Sequence, residues 1–255
     1  KISLEISEAK KKGKNTSALM KKAKNIPDKI EKIESKSNSL KDEVDELLKN
    51  IPNMIHSSVP IGRDASQNVE KERIGKIKEF PYVIENHGEL AEKLELADFT
   101  TSAETSGSGF YYLKGDLALL NQALISYARD FMVSKGYLYI EPPLMIRGKI
   151  LEGVYSRAEI DQMAYKIGGE DLYLIATSEH PLIGMFINKT LKKEDLPLKL
   201  TSYSACFRKE IGSHGINEKG VYRTHQFNKQ EMVVICHPKD SYKYYNELLS
   251  LSTQL

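Results

Sequence analysis

The chain has 255 residues, enough for one large domain or two smaller ones, and its 40% apolar and 28% charged composition excludes chain-wide disorder and collagen-like repeats. No run approaches roughly 18 uninterrupted apolar residues, so no membrane-spanning helix is expected, and no basic-then-apolar leader opens the chain. Two cysteines, Cys206 and Cys236, do not make a disulfide framework or a metal site, so a reducing, cytoplasmic setting is expected. The net charge of +2 hides a gradient: the first 24 residues hold 8 Lys and 2 Glu, leaving −4 on the other 231. A basic end on a near-neutral body fits a local polyanion contact or, equally, a solvated helix face.

In chain order, residues 1–52 read as a helical hairpin. Gly13 and Asn15 interrupt the first helical run, and Thr16 or Ser17 is the candidate cap of the next. A seam follows at Ile26, Ile30, Ile33, Ser37, Leu40, Val44, Leu47 and Ile51. Its steps alternate four and three, the spacing of a coiled coil. Pro27 stands at the start of that run, where proline is tolerated. From Ile26 to Ile51 the helix would run roughly 40 Å at 1.5 Å per residue. The expected partner is residues 1–12 together with sequence preceding Lys1. Pro52 closes the helix, and residues 53–86 have linker character before a second domain over 87–255.

That domain opens with mixed structure and a Ser/Gly turn at Ser106–Gly109. An amphipathic helix is expected over 115–135, with Leu117, Leu120, Leu124, Tyr127 and Phe131 inward and Gly136 as its stop. Tyr137–Ile140 reads as a strand closed by Pro142 and Pro143. Further strands are expected at 171–177, 198–208 and 222–236, with a helix at 179–193 and another from Tyr242 to Leu255. The last two strands, joined by the 13 residues 209–221, look antiparallel. The fold class is α+β: an antiparallel sheet with flanking helices, preceded by an antiparallel coiled-coil arm. The chain opens and closes inside helical patterns, so it reads as part of a longer molecule.

Three segments carry chemistry. In Thr177-Ser178-Glu179 a hydroxyl and a carboxylate two residues apart share a side if the backbone is extended, and could hold an ammonium; the trio is equally a helix cap. In Phe207-Arg208-Lys209-Glu210, Arg208 and Glu210 share a strand face, and the guanidinium fork suits a phosphate; such a charged strand end is also ordinary surface. In Arg223-Thr224-His225-Gln226-Phe227-Asn228-Lys229-Gln230-Glu231, even spacing puts Arg223, Phe227 and Glu231 on one face of a strand. Phosphate, a stacked base and an ammonium could meet them in turn. The alternative is a half-buried strand with ordinary alternation, but the same face turns apolar only at Val233 and Ile235, which favours a site. Between the last two segments lies a polar loop with Gly212, Ser213, His214, Gly215, Asn217, Glu218 and Gly220, of a kind that closes on ligands. His214 and His225 are possible bases, but no triad partner is placed for either. A P-loop, a dinucleotide fingerprint and an HExxH motif are all missing.

Together these segments resemble the class II aminoacyl-tRNA synthetases, and closely the seryl-tRNA synthetase family. Gly136-Tyr137 with Ile140 and Pro143 resembles motif 1, which builds the dimer interface. Phe207–Glu210, a loop and Arg223–Phe227 resemble motif 2. Thr177-Ser178-Glu179 resembles the serine-binding loop, and Asn25-Ile26-Pro27 with the heptads and Ile51-Pro52-Asn53 resembles the second helix of the tRNA-binding arm. The resemblance runs over essentially the whole chain.

It implies that serine and ATP give seryl-adenylate, followed by transfer to tRNA(Ser). Arg208 and Arg223 would be the catalytic pair, on the α- and γ-phosphates of a bent ATP. The ATP site would draw on Arg208, Lys209, Glu210, Arg223, Thr224, His225, Gln226 and Phe227, with Glu210 near the adenine amino group and Phe227 stacked on the base. Thr177, Ser178, Glu179, Arg208 and Glu231 would bind serine. Mg²⁺ would accompany ATP, with no metal ligands of the protein's own. Lys10, Lys11, Lys12, Lys14, Lys21 and Lys22 would meet tRNA phosphates, and the molecule would be a homodimer. A third class II motif, with a second ATP-binding arginine, lies outside 1–255. Two alternatives share the core. An amino acid:carrier-protein ligase would lack the arm. A catalytically silent RNA-binding paralogue would be signalled by loss of Arg208, Glu210 or Phe227, all of which are present.

Overall fold

The computed structural model describes residues 2–211 and 220–255. The chain divides into two compact units, Lys1–Ile61 and Gly62–Leu255. No helix among the described residues is long and apolar enough to cross a membrane.

The first unit is a helical hairpin of α1 (Ile2–Lys11) and α2 (Ser17–Lys49). Gly13 takes φ +66°, the left-handed turn that lets the chain reverse. The expected cap differs in identity. Thr16 holds the N-cap position without a side-chain bond, and it is Asn15 Oδ1 that accepts from the Ser17 backbone N–H at 2.9 Å. The helix therefore starts about ten residues before the heptad seam, through the strong helix formers Ala18, Leu19 and Met20. Pro27 consequently lies inside α2 rather than at its start, and its missing N–H leaves the backbone ladder one bond short. At ten residues α1 is far shorter than the 33 of α2, so the two pack together over only part of the longer helix. The seam residues remain between 38% exposed at Ile26 and 68% at Ile33.

In the second unit, only the short 3-10 turn Ala65–Gln67 is regular before α3 (His87–Lys93) among the described residues. There follow β1 (Ala97–Asp98), α4 (Thr100–Ser106), β2 (Tyr112–Leu113), α5 (Gly115–Ser134), β3 (Leu138–Tyr139), β4 (Met145–Ile146), α6 (Gly148–Leu151), α7 (Arg157–Met163), β5 (Tyr173–Leu174), α8 (Glu179–Gly184), β6 (Leu198–Phe207), β7 (Gln226–Ile235) and α9 (Ser241–Gln254). The central sheet has the order β3-β6-β7. The β6–β7 pair is antiparallel over all ten residues, from Leu198 opposite Ile235 to Phe207 opposite Gln226. Contrary to a purely antiparallel sheet, β3 runs parallel to β6; the long connection between them has room for the crossover that a parallel pair needs. β1–β2 and β4–β5 form two small antiparallel pairs.

Helices cover both faces of the central sheet. Met132, Tyr137 and Leu251 pack with Met232 and Val234 on one face, bringing α5 and α9 against it. Leu182 of α8 packs with Leu200 and Val233 on the other. A satellite core of Ile146, Leu151, Ile160, Tyr173 and Ile175 supports β4 and β5.

Several boundaries move. The strand expected at 171–177 is regular only at Tyr173–Leu174; the Ile175 N–H still donates to Leu144 O in register with β4, while the Ile175 carbonyl accepts from the Phe207 N–H at the end of β6. The helix expected over 179–193 stops at Gly184; Asn188 then adopts φ +57°. Of the expected stripe on α5, Phe131 packs beside the buried Met132 and Leu117 is half-buried, whereas Leu120, Leu124 and Tyr127 are 54%, 59% and 55% exposed. This helix carries two apolar faces, and the chain itself covers only one.

Candidate active site

The site forms where the polar end of one sheet face meets the start of α8. Side chains of paired antiparallel residues share a face. One face therefore reads Leu198, Leu200, Ser202, Ser204 and Cys206 on β6 against Ile235, Val233, Glu231, Lys229 and Phe227 on β7. The Leu/Val/Ile end is core. The Ser/Glu/Lys end is polar but still largely enclosed, with Ser202 and Ser204 buried and the Glu231 side chain only 16% exposed.

Thr177, just before α8, meets this face directly. Its Oγ1 donates to Glu231 Oε2 at 2.7 Å, accepts from Lys229 Nζ at 3.1 Å and accepts from the Glu179 backbone N–H at 3.2 Å. That saturates the one donor and two lone pairs of a hydroxyl. Lys229 and Glu231 are themselves an ion pair. Thr177-Ser178-Glu179 is not extended, since Ser178 has αR geometry and Glu179 is the first residue of α8. Thr177 therefore supports the helix start as a cap and faces the site with the same hydroxyl. Ser178 is fully buried, and its hydroxyl has no hydrogen-bond partner.

His180, next in α8, is 4% exposed, stands edge-on to Tyr155 and has an unpartnered Nδ1. Burial, with the cations of Lys229 and Arg208 adding to it, pushes its pKa down to about 4, against a smaller opposing pull from Glu231. The unfolded chain takes up this proton near pH 6.5, whereas the folded chain waits until about 4. Stability is therefore lost as pH falls through that window, and this group accounts for about 2 kcal/mol between pH 7 and 5. Denaturant titrations at the two pH values are expected to show that part of the loss removed in His180→Gln.

Arg208 follows the last residue of β6. Its backbone N–H donates to His225 O at 2.9 Å and its Nε to Ala176 O at 3.3 Å. The guanidinium lies 5.2 Å from the Phe227 ring centroid. Nε is thus tied to the approach to α8. Glu210, at φ +48°, pairs with Arg223, Nε to Oε2 at 2.9 Å. Arg223 precedes β7 in a bend, so the expected strand row of Arg223, Phe227 and Glu231 holds only for its last two members. The Arg223 side chain is 59% exposed.

The remaining candidates of this stretch serve its backbone. Lys209 donates from its N–H to Met163 O and from Nζ to Asp161 O, both on α7. Buried Thr224 donates to Gln226 O. His225 Nδ1 lies 2.9 Å from Tyr165 Oη and 3.1 Å from Arg208 O. Its ring packs so close to Gly109, at φ +80°, that a Cβ there would come within 2.7 Å of it. His225 thereby joins the Ser106–Gly109 turn to the Arg208 segment instead of standing free as a base. Gln226 is exposed and lines a ≈330 Å³ groove with Phe110, Asn121 and Phe227. Gly212, Ser213, His214, Gly215, Asn217 and Glu218 lie outside the described residues.

The structure thus brings Thr177, Arg208, Phe227 and Glu231 together, and pairs Glu210 with Arg223 beside them. Sequence reading did not single out Lys229 or His180. Strict alternation from Phe227 to Glu231 places Lys229 on the same face and was the available signal. Nothing in the sequence distinguishes His180 from a core histidine. No group of three or more His, Cys, Asp or Glu among the described residues could hold a metal ion.

An antiparallel β6–β7 pair ending in an arginine, with an aromatic and a carboxylate in register, is the arrangement of the class II tRNA synthetase core. A family model of that core, described for glycine, histidine, proline, serine and threonine enzymes, matches residues 164–255, and the seryl-tRNA synthetase N-terminal domain matches 1–55. The serine–tRNA ligase of Methanocella arvoryzae is 45% identical over 98% of this chain and 59% of its own length; that of Methanospirillum hungatei is 44% identical over 97% and 58%. Seryl-tRNA synthetase from Pyrococcus horikoshii, solved with ATP, superposes with TM-score 0.87 at 36% identity, covering 98% of this chain and 60% of that one. The cytoplasmic serine–tRNA ligase of Naegleria fowleri, solved with AMP, gives 0.81 at 32%, covering 94% and 53%. The chain belongs to the seryl-tRNA synthetase family. It spans about 59% of the length of the curated relatives it matches.

Proposed function

We propose that the protein activates serine with ATP and transfers it to tRNA(Ser). The observation that carries this reading is the order of groups at one end of the sheet: Arg208, then the Phe227 ring, then the Glu231 carboxylate bonded to Thr177. A cation, an aromatic plane and a carboxylate–hydroxyl pair suit phosphate, base and ammonium in turn. The ATP and AMP held by the two solved relatives support the nucleotide end, and the names of the curated relatives support serine.

In the first step a serine carboxylate oxygen bonds to the α-phosphorus and pyrophosphate leaves. In the second, seryl transfer to tRNA releases AMP. The attacking groups belong to the substrates, so catalysis is positioning and charge neutralisation. Arg208 neutralises the α-phosphate, and Arg223, oriented by Glu210, meets the γ-phosphate. Phe227 stacks on adenine with Glu210 near its amino group. Lys209, Thr224, His225 and Gln226 hold the nucleotide-facing backbone in place. Glu231, Thr177 and Glu179 take the serine ammonium, with Ser178 behind them. Mg²⁺ is assigned as the counter-ion that arrives on the phosphates of ATP.

Residues 1–52 are assigned to the tRNA-binding arm, 53–86 to the linker and 87–255 to the catalytic core. Lys10, Lys11, Lys12, Lys14, Lys21 and Lys22 are exposed around the hairpin turn, where tRNA phosphates would release counterions on binding. The uncovered apolar face of α5, with Leu120, Leu124 and Tyr127, fits a second copy of the chain in a homodimer. A cytoplasmic location accords with this role.

Serine-dependent ATP–pyrophosphate exchange by the full-length protein tests the reading. Exchange with serine, and not with threonine or alanine, is expected. Its absence with every amino acid from a folded protein would overturn the assignment in favour of a catalytically silent RNA-binding role.

A further inference from the structure

We propose that Lys229 stands in for the substrate's ammonium in the free protein and must be displaced for the amino acid to bind; this rests on the serine-activation reading. Lys229 lies on β7 between Phe227 and Glu231, on the same face as both. Its ammonium pairs with the Glu231 carboxylate and donates to Thr177 Oγ1 at 3.1 Å. Those are the two groups that would receive a primary ammonium from the substrate. A lysine Nζ presents the same three N–H donors, so it fits the same acceptors.

Both ammonium groups cannot occupy that place. The lone pairs of Thr177 Oγ1 are already taken by Lys229 Nζ and the Glu179 N–H, and two like charges would repel across one enclosed carboxylate. Lys229 is the group that can leave. Its side chain is 33% exposed and sits on a flexible four-carbon stem. While it stays, it keeps Glu231, only 16% exposed, from standing as an unpaired carboxylate, and it holds Glu231 and Thr177 2.7 Å apart in the geometry an ammonium needs.

The exchange has a chemical consequence for selectivity. An α-amino acid displaces Lys229 and brings its own carboxylate as a new partner for the released cation. An amine or amide displaces it and offers nothing in return. Lys229 therefore penalises ligands that have the ammonium but lack the carboxylate, which is the group that must be activated.

The test compares L-serine with L-serinamide, which keeps the ammonium and hydroxyl and lacks the carboxylate. Calorimetric titration of the full-length protein is expected to show serinamide binding about tenfold tighter to Lys229→Met than to wild type, with serine tightening less or not at all. A purely structural lysine would leave serinamide affinity unchanged or weaker in the variant, and either result overturns the proposal. Should Lys229→Met not fold, the wild-type protein crystallised with L-serine decides: Nζ withdrawn from Glu231 supports the displacement, and Nζ still paired with Glu231 beside bound serine overturns it. Failure of wild type to bind L-serine at all would instead remove the serine reading itself, and the proposal with it.

Discussion

Arg208→Ala is expected to lower serine-dependent ATP–pyrophosphate exchange at least about a hundredfold. Removing one preorganised charged donor from an enclosed site costs about 3–4 kcal/mol of transition-state stabilisation. On the serine-activation reading proposed above, that donor bears on the phosphorus where the new bond forms. The fold is expected to survive, because the tie between this segment and β7 is the backbone bond from the Arg208 N–H to His225 O, which the substitution leaves in place. Arg208→Lys is expected to recover only part of the activity. Lysine keeps the charge but loses the planar fork and the Nε bond to Ala176 O that aims it. Steady-state exchange at saturating serine and ATP separates this loss of kcat from a change in binding.

Glu231→Gln is expected to act on binding instead. The amide keeps the shape and one acceptor for Thr177 but loses the charge proposed to face the substrate ammonium. A charge-assisted hydrogen bond contributes roughly 1.5–3 kcal/mol, so KM for serine should rise roughly tenfold to a hundredfold while KM for ATP stays nearly constant. Lys229 would lose its ion-pair partner, but at 33% exposure water can hydrate it, so the cost to stability stays modest. The two ends of this ion pair thus have opposite signatures: loss of the carboxylate weakens ammonium binding, and loss of the lysine strengthens it. A KM for serine that does not move in Glu231→Gln would place the amino acid elsewhere.

The elements with strong periodicity were legible before any coordinates. The long arm helix, α5, the β6–β7 pair and α9 follow directly from heptad spacing, amphipathic repeats and the alternation that ends in Val233 and Ile235. Elements whose limits depend on tertiary bonds were not. β5 stops where the Ile175 carbonyl turns from β4 to the Phe207 N–H of β6. Arg223 leaves the strand because β7 begins only at Gln226, after the turn that Thr224 and His225 build. The face of α5 that would be buried could not be chosen, since both sides are apolar and only contact with the sheet selects Met132. At the site, residue types and order pointed to Arg208, Phe227, Glu231 and Thr177. Where Lys209 and His225 spend their hydrogen bonds is a matter of distance across the fold, to α7, Tyr165 and Gly109, that no local pattern encodes.

Cys206 forms part of the floor beneath these groups, fully buried and opposite Phe227. A thiol near two cations would ordinarily ionise readily and become a target for peroxide and alkylating agents. Burial outweighs the Ser204 hydrogen bond and the cations of Lys229 and Arg208 and pushes the Cys206 thiol up, which favours its protonated form. The protein can thus hold a sulfur atom beneath a lysine and an arginine while burial keeps it in its less reactive, protonated form.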